Sequence, residues 1–289
     1  MEAFDYAKPT SLDEALKIAG EANGDALFLA GGTDVIVQLR EGRKSCKTLI
    51  DIKAISEVNE VSLSAEGLTI GAAVPAYKIT SNEEICATYP GLIDAIGLIG
   101  GTQIQGRASV GGNLCNSSPA ADTTPSLIAH QATAVIAGPD GTREVAAEDF
   151  CTGPGRNALE KGEILISLKV PPQPANGGAH YLRFIPRNEM DIAVVGVGAC
   201  IVFDESGENF ISGRFAVGAV APIPLYVPEA GEALAGQPVN DETIEKVCAA
   251  TKAAAKPISD MRGSAAQRIH LTGVLTKRAI NKALERARQ

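Results

Sequence analysis

Ile99-Gly100-Gly101-Thr102-Gln103-Ile104-Gln105-Gly106-Arg107 runs into Ala108-Ser109-Val110-Gly111-Gly112-Asn113-Leu114, and six of the sixteen residues from Gly97 to Gly112 are glycine. Glycine has no side chain to bury and loses the most entropy on ordering. Such a run marks backbone that needs positive φ or a close approach to a ligand. A non-glycine residue held left-handed costs roughly 1–2 kcal/mol. Apolar, helix-like sequence enters the stretch (Leu92, Ile93, Ala95, Ile96, Leu98, Ile99), and small polar residues leave it (Asn113, Asn116, Ser117, Ser118, Pro119). The stretch reads as a bare-backbone cradle for something flat or anionic, entered and left by short helices.

A smaller cradle lies upstream at Phe28-Leu29-Ala30-Gly31-Gly32-Thr33-Asp34-Val35. An apolar strand ends in two glycines, and a helical pattern follows at Val35, Ile36 and Leu39. Strand, tight turn and helix start together aim unpaired backbone N–H groups at a phosphate. The spacing is neither G-x-G-x-x-G nor a Walker loop, which argues against a Rossmann dinucleotide site and a P-loop. Two such loops suggest a long ligand with a pyrophosphate in its middle.

Composition narrows the class. A chain of 289 residues with 45% hydrophobic content buries two or three domain cores. No run of 18 apolar residues is present, so no membrane span is expected. The opening residues Met1-Glu2-Ala3-Phe4-Asp5-Tyr6 lack the basic and apolar regions of a secretory signal, which points to the cytoplasm. A net charge of −8 argues against nucleic acid as partner. The six cysteines (46, 86, 115, 151, 200, 248) form no C-x-x-C or C-x4-C pair, so neither a zinc site nor an iron–sulfur cluster is expected on this chain. They read as reduced thiols, and the three histidines as ordinary surface or core residues rather than metal ligands.

Along the chain, Ser11-Leu12-Asp13-Glu14 is a capping box opening a helix that Gly20 ends. Strands are expected at 26–29, 48–52, 68–74, 133–137, 142–145 and 163–170, and helices at 34–41, 83–88, 91–99 and from Asp122 through His130. The segment 171–178 is the clearest linker. Beyond it, strands at 192–203, 210–220 and 225–227 precede helices at 241–255 and 264–288. That order predicts helices on one face of an antiparallel sheet. Ser259-Asp260-Met261-Arg262-Gly263 reads as a turn with a local Asp260–Arg262 contact.

The motifs Ala30-Gly31-Gly32-Thr33-Asp34, Ala108-Ser109-Val110-Gly111-Gly112-Asn113, Ser118-Pro119-Ala120-Ala121-Asp122 and Pro257-Ile258-Ser259-Asp260-Met261-Arg262-Gly263 resemble the FAD-binding medium subunit of molybdenum hydroxylases, the xanthine dehydrogenase and carbon monoxide dehydrogenase type. The resemblance covers essentially the whole chain. It implies an α+β fold: a vanillyl-alcohol-oxidase (PCMH)-type FAD-binding domain of two α/β subdomains (1–57 and 58–175), then a C-terminal α+β domain (176–289) like that of the CO dehydrogenase flavoprotein. It also implies roles. Phe28, Leu29, Ala30, Gly31, Gly32, Thr33, Asp34 and Val35 would wrap the pyrophosphate. Ser109, Val110, Gly111, Gly112 and Asn113 would hold the pyrophosphate and ribityl region. Asp122 would accept a hydrogen bond from FAD, Ile99 would lie against the isoalloxazine, and Leu165 would offer a backbone contact. Arg183 stands where relatives carry lysine near the flavin; it keeps the charge with a different geometry.

The resemblance further implies bound, non-covalent FAD. Cys115, just past the main cradle, reads as inert rather than as a covalent anchor. Partners would be a large subunit holding Mo-molybdopterin and a small subunit holding [2Fe–2S] clusters, with NAD+, a quinone, ferredoxin or oxygen as electron acceptor. The expected function is that of an electron-transfer flavoprotein subunit with no catalytic acid–base group of its own. Gly111→Val or Gly112→Val is expected to abolish FAD retention. The rival classes are a self-contained flavin oxidoreductase, which needs an acid or base over the ring, and a non-catalytic scaffold, which would take up no flavin.

Overall fold

The computed structural model describes residues 2–289. A small parallel sheet opens the chain, with β1 (Asp5–Ala7) and β2 (Ala26–Leu29) on either side of β3 (Thr48–Asp51). Crossovers run through α1 (Leu12–Glu21) and α2 (Val35–Arg40). Ser11 caps α1 by accepting from the Glu14 amide, but Glu14 reaches back to the Thr10 N–H, so the expected box closes one residue early. Gly20 does not end the helix; the reversal falls at Asn23 and Gly24, both at positive φ. The three-residue β1 is too short to show a period in the sequence.

The second sheet has the antiparallel order β4-β5-β10-β6-β7, from β4 (Val61–Ser64), β5 (Gly67–Gly71), β6 (Thr133–Gly138), β7 (Gly141–Ala146) and β10 (Ile164–Val170). Between β5 and β6 lie six helices: α3 (Ala76–Thr80), α4 (Glu83–Thr88), α5 (Pro90–Ile96), α6 (Thr102–Gln105), α7 (Val110–Asn116) and α8 (Thr123–Ala129). The short α9 (Ala147–Phe150) leads to the ribbon of β8 (Cys151–Gly153) and β9 (Arg156–Asn157). The strand expected at 68–74 stops at Gly71, because Val58 crowds that position and the chain turns toward Pro75, which caps α3. A shared core of Ala15, Ile50, Ile55, Ala73 and Ile164 joins the first two sheets.

The third sheet is antiparallel, in the order β11 (Gly177–Phe184), β12 (Val195–Phe203), β13 (Phe210–Gly218) and β14 (Leu225–Tyr226). It is followed by α10 (Pro228–Leu234), α11 (Asp241–Ala254) and α12 (Ala265–Ala287). β11 takes over the end of the expected linker. Its opening glycines read as linker in the sequence, yet Gly178 is the seat of α12: a Cβ there would overlap the Ala283 carbonyl. At the 259–263 turn the expected Asp260–Arg262 contact is only backbone. Asp260 accepts from the Arg262 N–H, and its ionic partner is the buried Arg268 at 2.7 Å. Arg268 also donates to the Val194 and Ala219 carbonyls, tying the turn to the sheet.

α5 and α8 lie against the third sheet. Asp94, on α5, accepts from Nη1 and Nη2 of Arg286 near the end of α12, at 2.5 and 2.9 Å. Its Oδ2 also lies 2.5 Å from Nδ1 of His180 on β11. Partial burial pushes this carboxyl up, but the hydrogen bonds and positive charge of Arg286 and His180 outweigh it and hold the group at about 2. Two elements distant in sequence, β11 and α12, therefore converge on the helix that feeds the long glycine loop.

Candidate cofactor site

The two glycine loops meet. Gly31, after β2, packs so tightly on the backbone of Arg107 and Ala108 that a Cβ would overlap the Arg107 carbonyl. Arg107 Nε in turn donates to the Gly31 carbonyl at 3.2 Å. Gly32 follows at φ +82°, turning the chain into α2. The second loop departs from a bare cradle. Ser109 caps α7 by accepting from the Gly112 N–H at 3.0 Å, so Gly111 and Gly112 are helical. Gly111 is glycine because α7 presses on β5's continuation: a Cβ there would sit 2.6 Å from the Ala72 Cα. Positive φ within the loop is confined to Gly100.

Around this seam lies an open cavity of about 1100 Å3, counting its mouth. Phe28, Ala30, Gly31, Gly32, Thr33, Asp34 and Val35 line it from one loop, and Ser109, Gly111, Gly112 and Asn113 from the other, with Ile99 and Leu165 also in the wall. Leu29 and Val110 do not reach it. Leu29 alternates inward along β2 to pack on Leu39 and Leu49, and Val110 turns into the main core with Leu114. Asp122 and Arg183 also stand outside the cavity wall. They pair with each other at 2.6 Å, and Tyr181 Oη donates to the second Asp122 oxygen at 2.8 Å. Burial pushes the Asp122 carboxyl up to about 6, against the opposing pull of Arg183 and Tyr181.

Sequence reasoning passed over several wall residues. Gln38 and Asn116 lie one helical turn beyond each cradle, at i+4 from Asp34 and Gly112, and they hydrogen-bond to each other at 2.9 Å. Lys44 reaches the wall because the Gly42 turn, at φ +69°, brings the chain back so that Arg43 and Lys44 both donate to the Gln38 carbonyl. Lys44 and Asp34 are the charged side chains of the wall. Asp34 stays exposed, and partial loss of water around it pushes its carboxyl up, opposed by the charges of Arg43 and Lys44. Burial likewise pushes the Cys115 thiol up to about 12, which leaves it a neutral, unreactive wall residue. The apolar wall, the backbone seam and a cation together fit a flat, apolar-ringed dinucleotide with an anionic centre.

Comparison with known proteins decides the identity of that ligand. Residues 2–173 match the FAD binding domain in molybdopterin dehydrogenase, and residues 180–283 match the CO dehydrogenase flavoprotein C-terminal domain. The chain belongs to the family of FAD-binding subunits of molybdenum hydroxylases. It is 34% identical to the xanthine dehydrogenase FAD-binding subunit of Escherichia coli O157:H7, covering 98% of each chain. It is 29% identical to the carbon monoxide dehydrogenase medium chain of Afipia carboxidovorans, covering 99% of this chain and 98% of that one. Among solved structures, a Cu,Mo-CO dehydrogenase chain superposes with a TM-score of 0.94 at 28% identity, with 99% of each chain covered. Quinoline 2-oxidoreductase from Pseudomonas putida 86 superposes at 0.91 and 27%, covering 100% of this chain and 99% of that one. The names of these relatives, FAD-binding subunit and medium chain, mark each as one of several subunits. Among the described residues no cluster of three metal-binding side chains occurs, and no helix is long and apolar enough to cross a membrane.

Proposed function

We propose that this chain works in the cytoplasm as the electron-transfer subunit of a molybdenum hydroxylase. It takes reducing equivalents from the [2Fe–2S] clusters of a small partner subunit and passes them to NAD+ or another acceptor, while a large Mo-molybdopterin subunit oxidises the substrate. FAD supplies the exchange between one-electron and two-electron carriers; the protein supplies binding, orientation and electrostatics. The observation that carries the reading is the seam of Gly31 on Arg107, which builds one cavity from two glycine loops. In this reading the loops hold the pyrophosphate, with Ile99 and Leu165 beside the isoalloxazine. Asp122 and Arg183 act from behind the wall, as a fixed ion pair.

The visible spectrum of the purified chain, with whatever subunits accompany it, tests the reading. A flavin spectrum that bleaches with dithionite, with flavin released by acid precipitation, is expected; broad iron–sulfur absorbance and two further subunits mark the complex. A colourless chain that stays colourless with added FAD would refute it. Bleaching by NADH distinguishes NAD+ from the other acceptors.

The charge on the wall yields a further expectation. Lys44→Met should weaken FAD binding about tenfold, as expected for loss of a charge-assisted contact. It should also flatten the dependence of affinity on salt, because a screened cation is gone. Flavin fluorescence titrated at low and high ionic strength reads both effects, and unchanged affinity and salt dependence would remove Lys44 from the site.

A further inference from the structure

We propose that the side-chain amides of Gln38 and Asn116 read the hydrogen-bonding edge of adenine, and so make this subunit select FAD over a mononucleotide flavin. The inference rests on the reading of the cavity as an FAD site.

Gln38 lies on α2 and Asn116 ends α7, so each belongs to the helix that follows one glycine loop. They are 78 residues apart in sequence, half-buried, and joined by the hydrogen bond from Gln38 Nε2 to Asn116 Oδ1 at 2.9 Å. Each amide carries one carbonyl and one NH2 group. Joined head to tail, the pair uses one carbonyl and one NH2, whichever way the two amides are turned. One carbonyl and one NH2 of the pair then remain without a protein partner, on two residues that both line the cavity. Adenine presents the complement, an exocyclic NH2 beside an acceptor ring nitrogen, and asparagine or glutamine amides recognise that edge in pairs.

The other amides of the wall leave no free carbonyl beside a free NH2: Asn157 uses both ends, and Asn113 keeps only its NH2. Asn157 donates to the Cys115 carbonyl and accepts from the Leu159 N–H. Asn113 Oδ1 accepts from the Thr123 hydroxyl at 2.6 Å. The surroundings suit a flat heterocycle, since Ala26, Leu27, Phe28 and Val35 line the cavity along with Gln38. A flavin without adenosine has nothing to offer this pair.

The test is fluorescence titration of the flavin-free full chain with FAD, with FMN and with the hypoxanthine analogue of FAD. That analogue puts a carbonyl where adenine has NH2, and on the N1 side also an N–H where adenine has an acceptor, so neither edge of the base keeps adenine's donor-beside-acceptor pattern. The wild-type chain is expected to prefer FAD over the analogue by roughly 10–100-fold, the worth of a good bidentate pair. Gln38→Leu should weaken FAD by about tenfold, bring the two dinucleotides to near-equal affinity, and leave FMN binding unchanged. Gln38→Glu keeps the shape but leaves two acceptors on the wall; it should also erase the preference between dinucleotides. Equal wild-type affinity for FAD and its analogue would overturn the inference, as would FMN affinity falling in step with FAD in both variants. A wild-type chain that binds no flavin at all would overturn the cofactor reading itself, a different result from flavin binding without discrimination.

Discussion

A chain carrying Gly31→Ala should purify without flavin, its FAD affinity lowered more than 100-fold, or by over ~2.7 kcal/mol. One methyl group suffices because of where it lands. The added Cβ collides with the Arg107 carbonyl, and the neighbouring contacts at the Arg107 carbon and the Ala108 Cα are backbone too. No rotamer relieves such a clash, so the loops must part. Separation breaks the Arg107–Gly31 hydrogen bond and opens the cavity along its middle. Overpacking of this kind costs about 1–3 kcal/mol of stability where the surroundings can yield. The control is Gly20→Ala, on α1, where an added Cβ meets nothing within 4 Å. It should keep a full complement of flavin. The ratio of flavin to protein absorbance reads both variants, and a fully flavinated Gly31→Ala chain would show that the seam does not govern binding.

The second large effect is expected at Asp94. Asp94→Asn leaves Arg286 beside the Ala179 carbonyl and His180 without their shared anion. Removing one partner of a buried ion pair costs about 3–5 kcal/mol, and the one-fifth exposure of this pair moves the expectation to the lower end. The pH dependence has a definite sign. The folded carboxyl is held at about 2, below its ordinary value of 3.8. Its stabilising contribution is therefore complete above about pH 4 and is lost as pH falls toward 2. The shift corresponds to about 2 kcal/mol. Urea midpoints measured from pH 6 down to pH 2 should fall more steeply for the wild-type chain than for Asp94→Asn. Parallel curves would mean that Asp94 contributes no linkage.

Much of this arrangement is legible in the sequence because it is local. Ser11, three residues before Glu14, is a cap signal for α1, and the β6–β7 hairpin announces itself at Pro139-Asp140-Gly141. The alternation of 163–170 matches β10 to within one residue. What escapes is set by partners far away in the chain. The glycines of 177–178 look like a linker because only α12, a hundred residues later, explains them. The density of glycine at 97–112 suggests positive φ or a close approach to a ligand, yet Gly111 answers to the approach of Ala72 while its own backbone is helical. Leu29 and Val110 sit inside the right motifs but on the wrong side of a strand and a helix. Gln38, Lys44 and Asn116 carry no motif, and only the meeting of two loops makes them neighbours.

The bond between Arg286 and Asp94 spans 192 residues of chain. A ribosome adding roughly 5–20 residues per second emits Asp94 about ten to forty seconds before Arg286. For most of that interval both glycine loops are out of the tunnel, while the helix leading into the longer one still lacks its brace. The flavin-binding half must then hold itself together on its own core.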